Sequence, residues 1–68
     1  MVIQKTIAAM VAKQRHVLRL SQAELAELAQ VSHSFITKLE AGNANPGVKQ
    51  LSQVLEAVGL ELLIKPKS

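Results

Sequence analysis

Cysteine is absent from the 68 residues, and so is aspartate. Without cysteine no disulfide framework or thiolate metal site can form, which fits a reducing compartment. Without aspartate every acidic side chain is one of five glutamates, which leaves little material for paired-carboxylate or metal chemistry. Tryptophan and tyrosine are also missing, so Phe35 is the sole aromatic in a chain that is 49% apolar. Such a core has to be built from Leu, Val, Ile and Ala, which suits closely packed short helices. No apolar run approaches the ~20 residues a membrane span requires. Lys5 and Lys13 interrupt the opening segment before a secretion signal's apolar stretch can form. The expectation is a soluble cytoplasmic protein with no membrane partner. No glycine-rich phosphate loop occurs, and the two histidines, His16 and His33, fall on different predicted helices. An enzyme is therefore a poor reading, and no cofactor or metal is expected.

What is present is basic and small. Eight Lys and Arg against five Glu give a net charge of +3, with a pI near 9.7. That balance favours an anionic partner and is equally compatible with an ordinary basic domain. Residues 1–68 read as a single domain. A chain this short buries only about 60% of its potential surface on folding, so a partner subunit would help it.

The stretch from Leu20 to Gly42 carries the densest local signals. Ser21 and Glu24 have the spacing of a capping box, and Leu20 and Leu25 that of a hydrophobic staple, so a helix begins at Gln22. Ala26, Leu28 and Ala29 extend its apolar face, and it should stop near Ala29 or Gln30. Ser32 reads as a second N-cap, opening a helix from His33 to Glu40 that is closed by Gly42. Two helices of roughly eight residues joined by about three residues match a helix-turn-helix outline. On the second of them Ile36 and Leu39 share one side, while His33, Ser34, Thr37 and Lys38 share the other.

Upstream, Ile3, Ile7, Val11 and Leu18 recur at helical spacing, flanked by Met10 and Val17. Arg15 falls on this stripe. Either its alkyl stem packs there while the guanidinium meets an acid, Glu40 being the best placed, or it points to solvent. Downstream, Asn45-Pro46 reads as the N-cap and first residue of a fourth helix, with Val48, Leu51, Val54, Leu55 and Val58 as its stripe and Gly59 as its end. The tail alternates, with Leu60, Leu62 and Ile64 against Glu61, Leu63 and Lys65, and stops at Pro66. That pattern predicts a strand over 60–65 that must find its partner in a second copy of the chain; a fifth helix packed on the bundle is the alternative.

Gln22-Ala23-Glu24-Leu25-Ala26, Val31-Ser32, Ile36, Leu39-Glu40, Gly42 and Asn45-Pro46, taken in order, resemble the lambda-repressor-like (Xre) helix-turn-helix family over about residues 7–60. The resemblance implies an all-α, compact four-helix DNA-binding domain in which Arg15 pairs with Glu40. It further implies that His33, Ser34, Thr37 and Lys38 (base edges) and Gln22, Ser32, Phe35 and Asn43 (DNA backbone) contact double-stranded DNA, with Gln22 bracing His33 or Ser34. Phe35 departs from the polar or tyrosine residue usual nearby, and partial burial with a DNA-facing edge is expected. For Arg19 and Lys49 solvated surface is expected, with charge contacts to the DNA backbone the alternative. The repressors of the family carry a carboxy-terminal oligomerisation domain, and none is expected here. The tail instead resembles the HipB-type antitoxins, where Leu60, Leu62, Leu63 and Ile64 would form a dimer strand and a kinase-like toxin would be a second partner. The implied function is a homodimeric repressor on a palindromic operator, the antitoxin and autoregulator of a HipA-like toxin-antitoxin system. A stand-alone repressor or a protein-interaction module is the alternative.

Overall fold

The computed structural model describes residues 2–67. Their order is α1 (Val2–Val17), α2 (Gln22–Ala29), α3 (His33–Glu40) and α4 (Val48–Ala57). The expected all-α architecture is met. α3 packs against both α1 and α2, and α4 packs against α2. The core between them is aliphatic: Val11, Leu25, Ile36, Val54 and Val58 are fully buried, with Ala26, Ala29, Leu39, Ala44, Leu51 and Leu55 around them. Among the described residues no helix is long and apolar enough to cross a membrane.

Capping explains where the short helices start. The Glu24 amide donates to Ser21 Oγ at 3.0 Å and the Ser21 amide donates to Glu24 Oε1 at 2.8 Å, the reciprocal pair expected of a capping box. Those bonds favour the charged carboxylate and hold Glu24 below the ordinary carboxylate range. Ser32 Oγ likewise accepts from the Phe35 amide at 3.0 Å.

The helix ends follow one pattern. In each of α1–α4 a residue just past the helix takes positive φ, and the next amide donates back five residues. The bonds are Leu20 to the Arg15 carbonyl at 3.0 Å, Val31 to Ala26 at 3.0 Å, Asn43 to Lys38 at 3.0 Å and Leu60 to Leu55 at 2.8 Å. Gly42 and Gly59 supply two of these left-handed positions, as expected; Arg19 (φ 58) and Gln30 (φ 59) supply the others despite their Cβ atoms.

Several expectations are corrected. Leu18 lies beyond the end of α1 and is 46% exposed, and Ile3 is 57% exposed. The buried side of α1 instead runs through Ile7, Ala8 and Val11 to Arg15, with Gln4 and Gln14 beside it. Each glutamine Nε2 donates to a distant carbonyl, Gln4 to Ala44 at 3.0 Å and Gln14 to Val58 at 2.9 Å, which ties α1 to the two ends of the chain's second half. Leu28 is 60% exposed, because Leu25, Ala26 and Ala29 already fill the inward face of α2.

The fourth helix starts two residues later than Asn45-Pro46 predicts. Gly47 is its N-cap in extended conformation, no side chain caps it, and Val48 stands exposed as its first residue. Pro46 disfavours helical backbone at Asn45, the Ala44 carbonyl is held by Gln4, and the first helical bond runs from the Leu51 amide to the Gly47 carbonyl.

The tail is neither strand nor helix. Residues 60–67 carry no regular secondary structure: Leu60 folds back half-buried against the core, while Leu62, Leu63 and Ile64 are exposed. The alternating pattern alone supplies no hydrogen-bonding neighbour, and among the described residues no strand pairs with it.

Candidate nucleic-acid interface

One face of the bundle gathers the polar residues that the sequence singles out. Ile36 and Leu39 anchor α3 in the core, and the same 3.6-residue period turns His33, Ser34, Thr37 and Lys38 outward, all four exposed. Ser32 and Asn43 are exposed at the two ends of the helix. Phe35 is half-buried and packs against the core, the partial burial expected of it.

Behind this face lies a polar network that joins three helices. Arg15 on α1 grips Glu40 with both arms of its guanidinium: Nε donates to Oε2 at 2.6 Å and Nη2 to Oε1 at 2.9 Å. Its third group, Nη1, donates to the Leu20 carbonyl at 2.8 Å, in the turn that leads into α2. The two side chains are only 11% and 7% exposed. The alternative in which Arg15 points to solvent is thereby removed. Burial alone would push the Glu40 carboxyl up. Hydrogen bonds from Arg15 and Gln22, and the nearby charges of Arg15 and His16, outweigh it and leave Glu40 below the usual carboxylate range. Arg15 is raised in return, chiefly by its hydrogen bonds to Glu40.

Gln22, the first residue of α2, extends the network to the exposed face. Its Nε2 donates to Glu40 Oε1 at 3.1 Å, and its Oε1 lies 3.1 Å from Thr37 Oγ1. The side chain braced by Gln22 is therefore Thr37, one turn further along α3 than the His33 or Ser34 that the resemblance implies. Nothing in the spacing of 22 and 37 announces this contact, because it depends on how α2 and α3 cross. The sequence does hold its ingredients, a buried carboxylate at the end of α3 and an amide at the start of α2. Among the described residues no buried side-chain nitrogen or oxygen lacks a partner. No group of His, Cys, Asp or Glu among them is arranged to hold a metal ion.

A capped α2, a three-residue turn and a capped α3 that offers one polar face are the parts of a helix-turn-helix unit. A family model described as helix-turn-helix matches residues 18–64. The chain belongs to the lambda-repressor/Xre-like helix-turn-helix family. Membership makes this helix-turn-helix protein a DNA-binding transcription regulator, from a family that is not catalytic. No curated protein and no solved structure matches it. The match begins at Leu18, so it takes in Gln22, Thr37 and Glu40 and leaves out the helix that carries Arg15.

Proposed function

We propose that this helix-turn-helix protein is a cytoplasmic, sequence-specific repressor that binds a pseudo-palindromic operator as a homodimer. Each α3 enters a major groove about 34 Å from its mate. The observation that carries the proposal is the division of α3 into a face pinned by Ile36 and Leu39 and a face on which His33, Ser34, Thr37 and Lys38 are all open. Lys38 can donate to guanine O6 and N7, and the hydroxyls and imidazole suit other base-edge groups.

Gln22, Ser32, Phe35 and Asn43 take the backbone role, with the detail refined by their partners. Gln22 gives one Nε2 hydrogen to Glu40, which leaves the second for a phosphate. Ser32 Oγ accepts from the helix and keeps its own hydrogen to donate. The Asn43 amide is committed to the Lys38 carbonyl, so its side chain makes the contact. The exposed edge of Phe35 lies along a deoxyribose.

The second copy sits on the apolar surface of α1 and the tail. There Ile3, Met10, Leu62 and Leu63 are exposed around a groove of about 280 Å³ between α1 and the tail. The dimer then needs no strand. An antitoxin that also captures a kinase-like toxin rests on a paired carboxy-terminal strand, and with the tail as coil the stand-alone repressor has the better support. A stoichiometric protein partner recovered with the chain from its native cells would restore the antitoxin reading.

Selection of bound duplexes from a random pool, repeated at two salt concentrations, tests the proposal. A repressor enriches one two-fold symmetric sequence and loses affinity as salt rises. Binding without enrichment would remove sequence-specific recognition. Sedimentation of the chain beside a Leu62→Ser/Leu63→Ser variant tests the dimer; a monomeric wild type would overturn it.

A further inference from the structure

The hydroxyl of Thr37 has one hydrogen and two oxygens competing for it. Oγ1 lies 3.1 Å from Gln22 Oε1 and 3.1 Å from the His33 carbonyl. Which end of the Gln22 amide faces Thr37 is decided by chemistry on its other side. The Glu40 carboxylate, gripped twice by Arg15, has no proton to donate, so the Gln22 atom 3.1 Å from it must be the NH₂ nitrogen. The atom facing Thr37 is then the amide oxygen, which can only accept. A backbone carbonyl can only accept as well. Whichever neighbour takes the Thr37 hydrogen, that hydrogen points into the protein.

We propose that Thr37 meets DNA as a hydrogen-bond acceptor and that its target is the exocyclic amino group of a base in the major groove, adenine N6 or cytosine N4. Guanine O6 and N7, adenine N7, thymine O4 and phosphate oxygens are acceptors, and the outward lone pairs of Thr37 have nothing to offer them. The amino groups are the donors on those edges. Ser32, at the start of the same helix, has the opposite polarity. Its oxygen accepts from the Phe35 amide, its own hydrogen is free to donate, and it suits a phosphate. The chain Arg15 to Glu40 to Gln22 to Thr37 thus sets the polarity of one reading hydroxyl, and Gln22 and Glu40 act as positioning residues for it. This inference rests on the DNA-reading role of α3 and specifies what one residue of that face reads.

The test uses the full chain and its selected duplex, with single bases replaced by analogues. Purine for adenine and 2-pyrimidinone for cytosine delete the amino group; 2-aminopurine for guanine deletes the O6 carbonyl. At one position, deletion of the amino group should weaken wild-type binding about three- to tenfold, the worth of one hydrogen bond. Thr37→Val should be indifferent to that deletion, and Thr37→Ser should retain the sensitivity. The proposal is overturned if valine abolishes sensitivity to a carbonyl or ring nitrogen instead, or if wild type and Thr37→Val respond alike to every amino deletion. Failure of the underlying DNA reading would show earlier and separately, as a pool from which no duplex is enriched.

Discussion

Replacing Arg15 with Met keeps an unbranched, apolar stem and removes the guanidinium. The two donor contacts to Glu40 and the one to the Leu20 carbonyl disappear, with a longer contact of 3.4 Å to His16 Nε2. What remains is a carboxylate whose side chain is 7% exposed and whose surviving partner in the network is Gln22. Breaking a buried ion pair by removing one member costs about 3–5 kcal/mol. The pair lies at the edge of the core, which argues for the lower figure, about 3 kcal/mol. Domains of this length hold about 3–10 kcal/mol in total, so the loss would be a large part of the whole. With a urea m-value of about 1 kcal/mol/M, the unfolding midpoint followed by circular dichroism should fall by about 3 M.

The same pair predicts a pH dependence. Because the folded carboxyl of Glu40 binds its proton less tightly than the unfolded one, its contribution is complete well above the unfolded value of about 4.3 and drains as pH falls through and below it. The stability gap between wild type and Glu40→Gln should therefore shrink as pH falls below about 5. A midpoint shift under about 0.5 M for Arg15→Met, or a gap that does not change with acid, would refute the claim that this pair holds α1 against α3.

Other expected outcomes are smaller. Arg19→Gly and Gln30→Gly relieve left-handed backbone at a Cβ-bearing residue, and each should raise stability by about 0.5–1 kcal/mol in urea unfolding despite glycine's freer unfolded state. Ser21→Ala removes an acceptor from the first turn of α2 and should cost about 1 kcal/mol, read from thermal melts. Lys38→Ala should lower operator affinity by about 1–3 kcal/mol and relax preference at one base pair; equal weakening on all duplexes would assign Lys38 to phosphate.

The parts of this fold legible in the sequence are those set by local chemistry. The capping box at Ser21 and Glu24, the Ser32 cap and the glycine ends at Gly42 and Gly59 involve residues within a few positions of one another, and each is present. The Arg15–Glu40 pair was visible as a charged residue on an apolar stripe, with its partner decided by the family resemblance. The left-handed turns at Arg19 and Gln30 were not legible, because neither side chain signals positive φ. They form where tertiary packing of Leu20 and Val31, both half-buried, outweighs the local cost.

The contacts of Gln4, Gln14 and Gln22 were not legible, because a glutamine's spacing says nothing about which carbonyl or carboxylate it will reach. The alternating tail misled for a related reason. Period two describes a segment that fits a sheet, and the sheet itself has to come from elsewhere.

The repressor function requires that the outward side of α3 be the surface that touches DNA. Amide and side-chain chemical shifts of the labelled chain, recorded as its selected duplex is added, test it most directly. Changes should concentrate at His33, Ser34, Thr37 and Lys38, with Gln22, Ser32, Phe35 and Asn43 beside them. Changes confined to α1, α4 or the tail, with α3 silent, would contradict it.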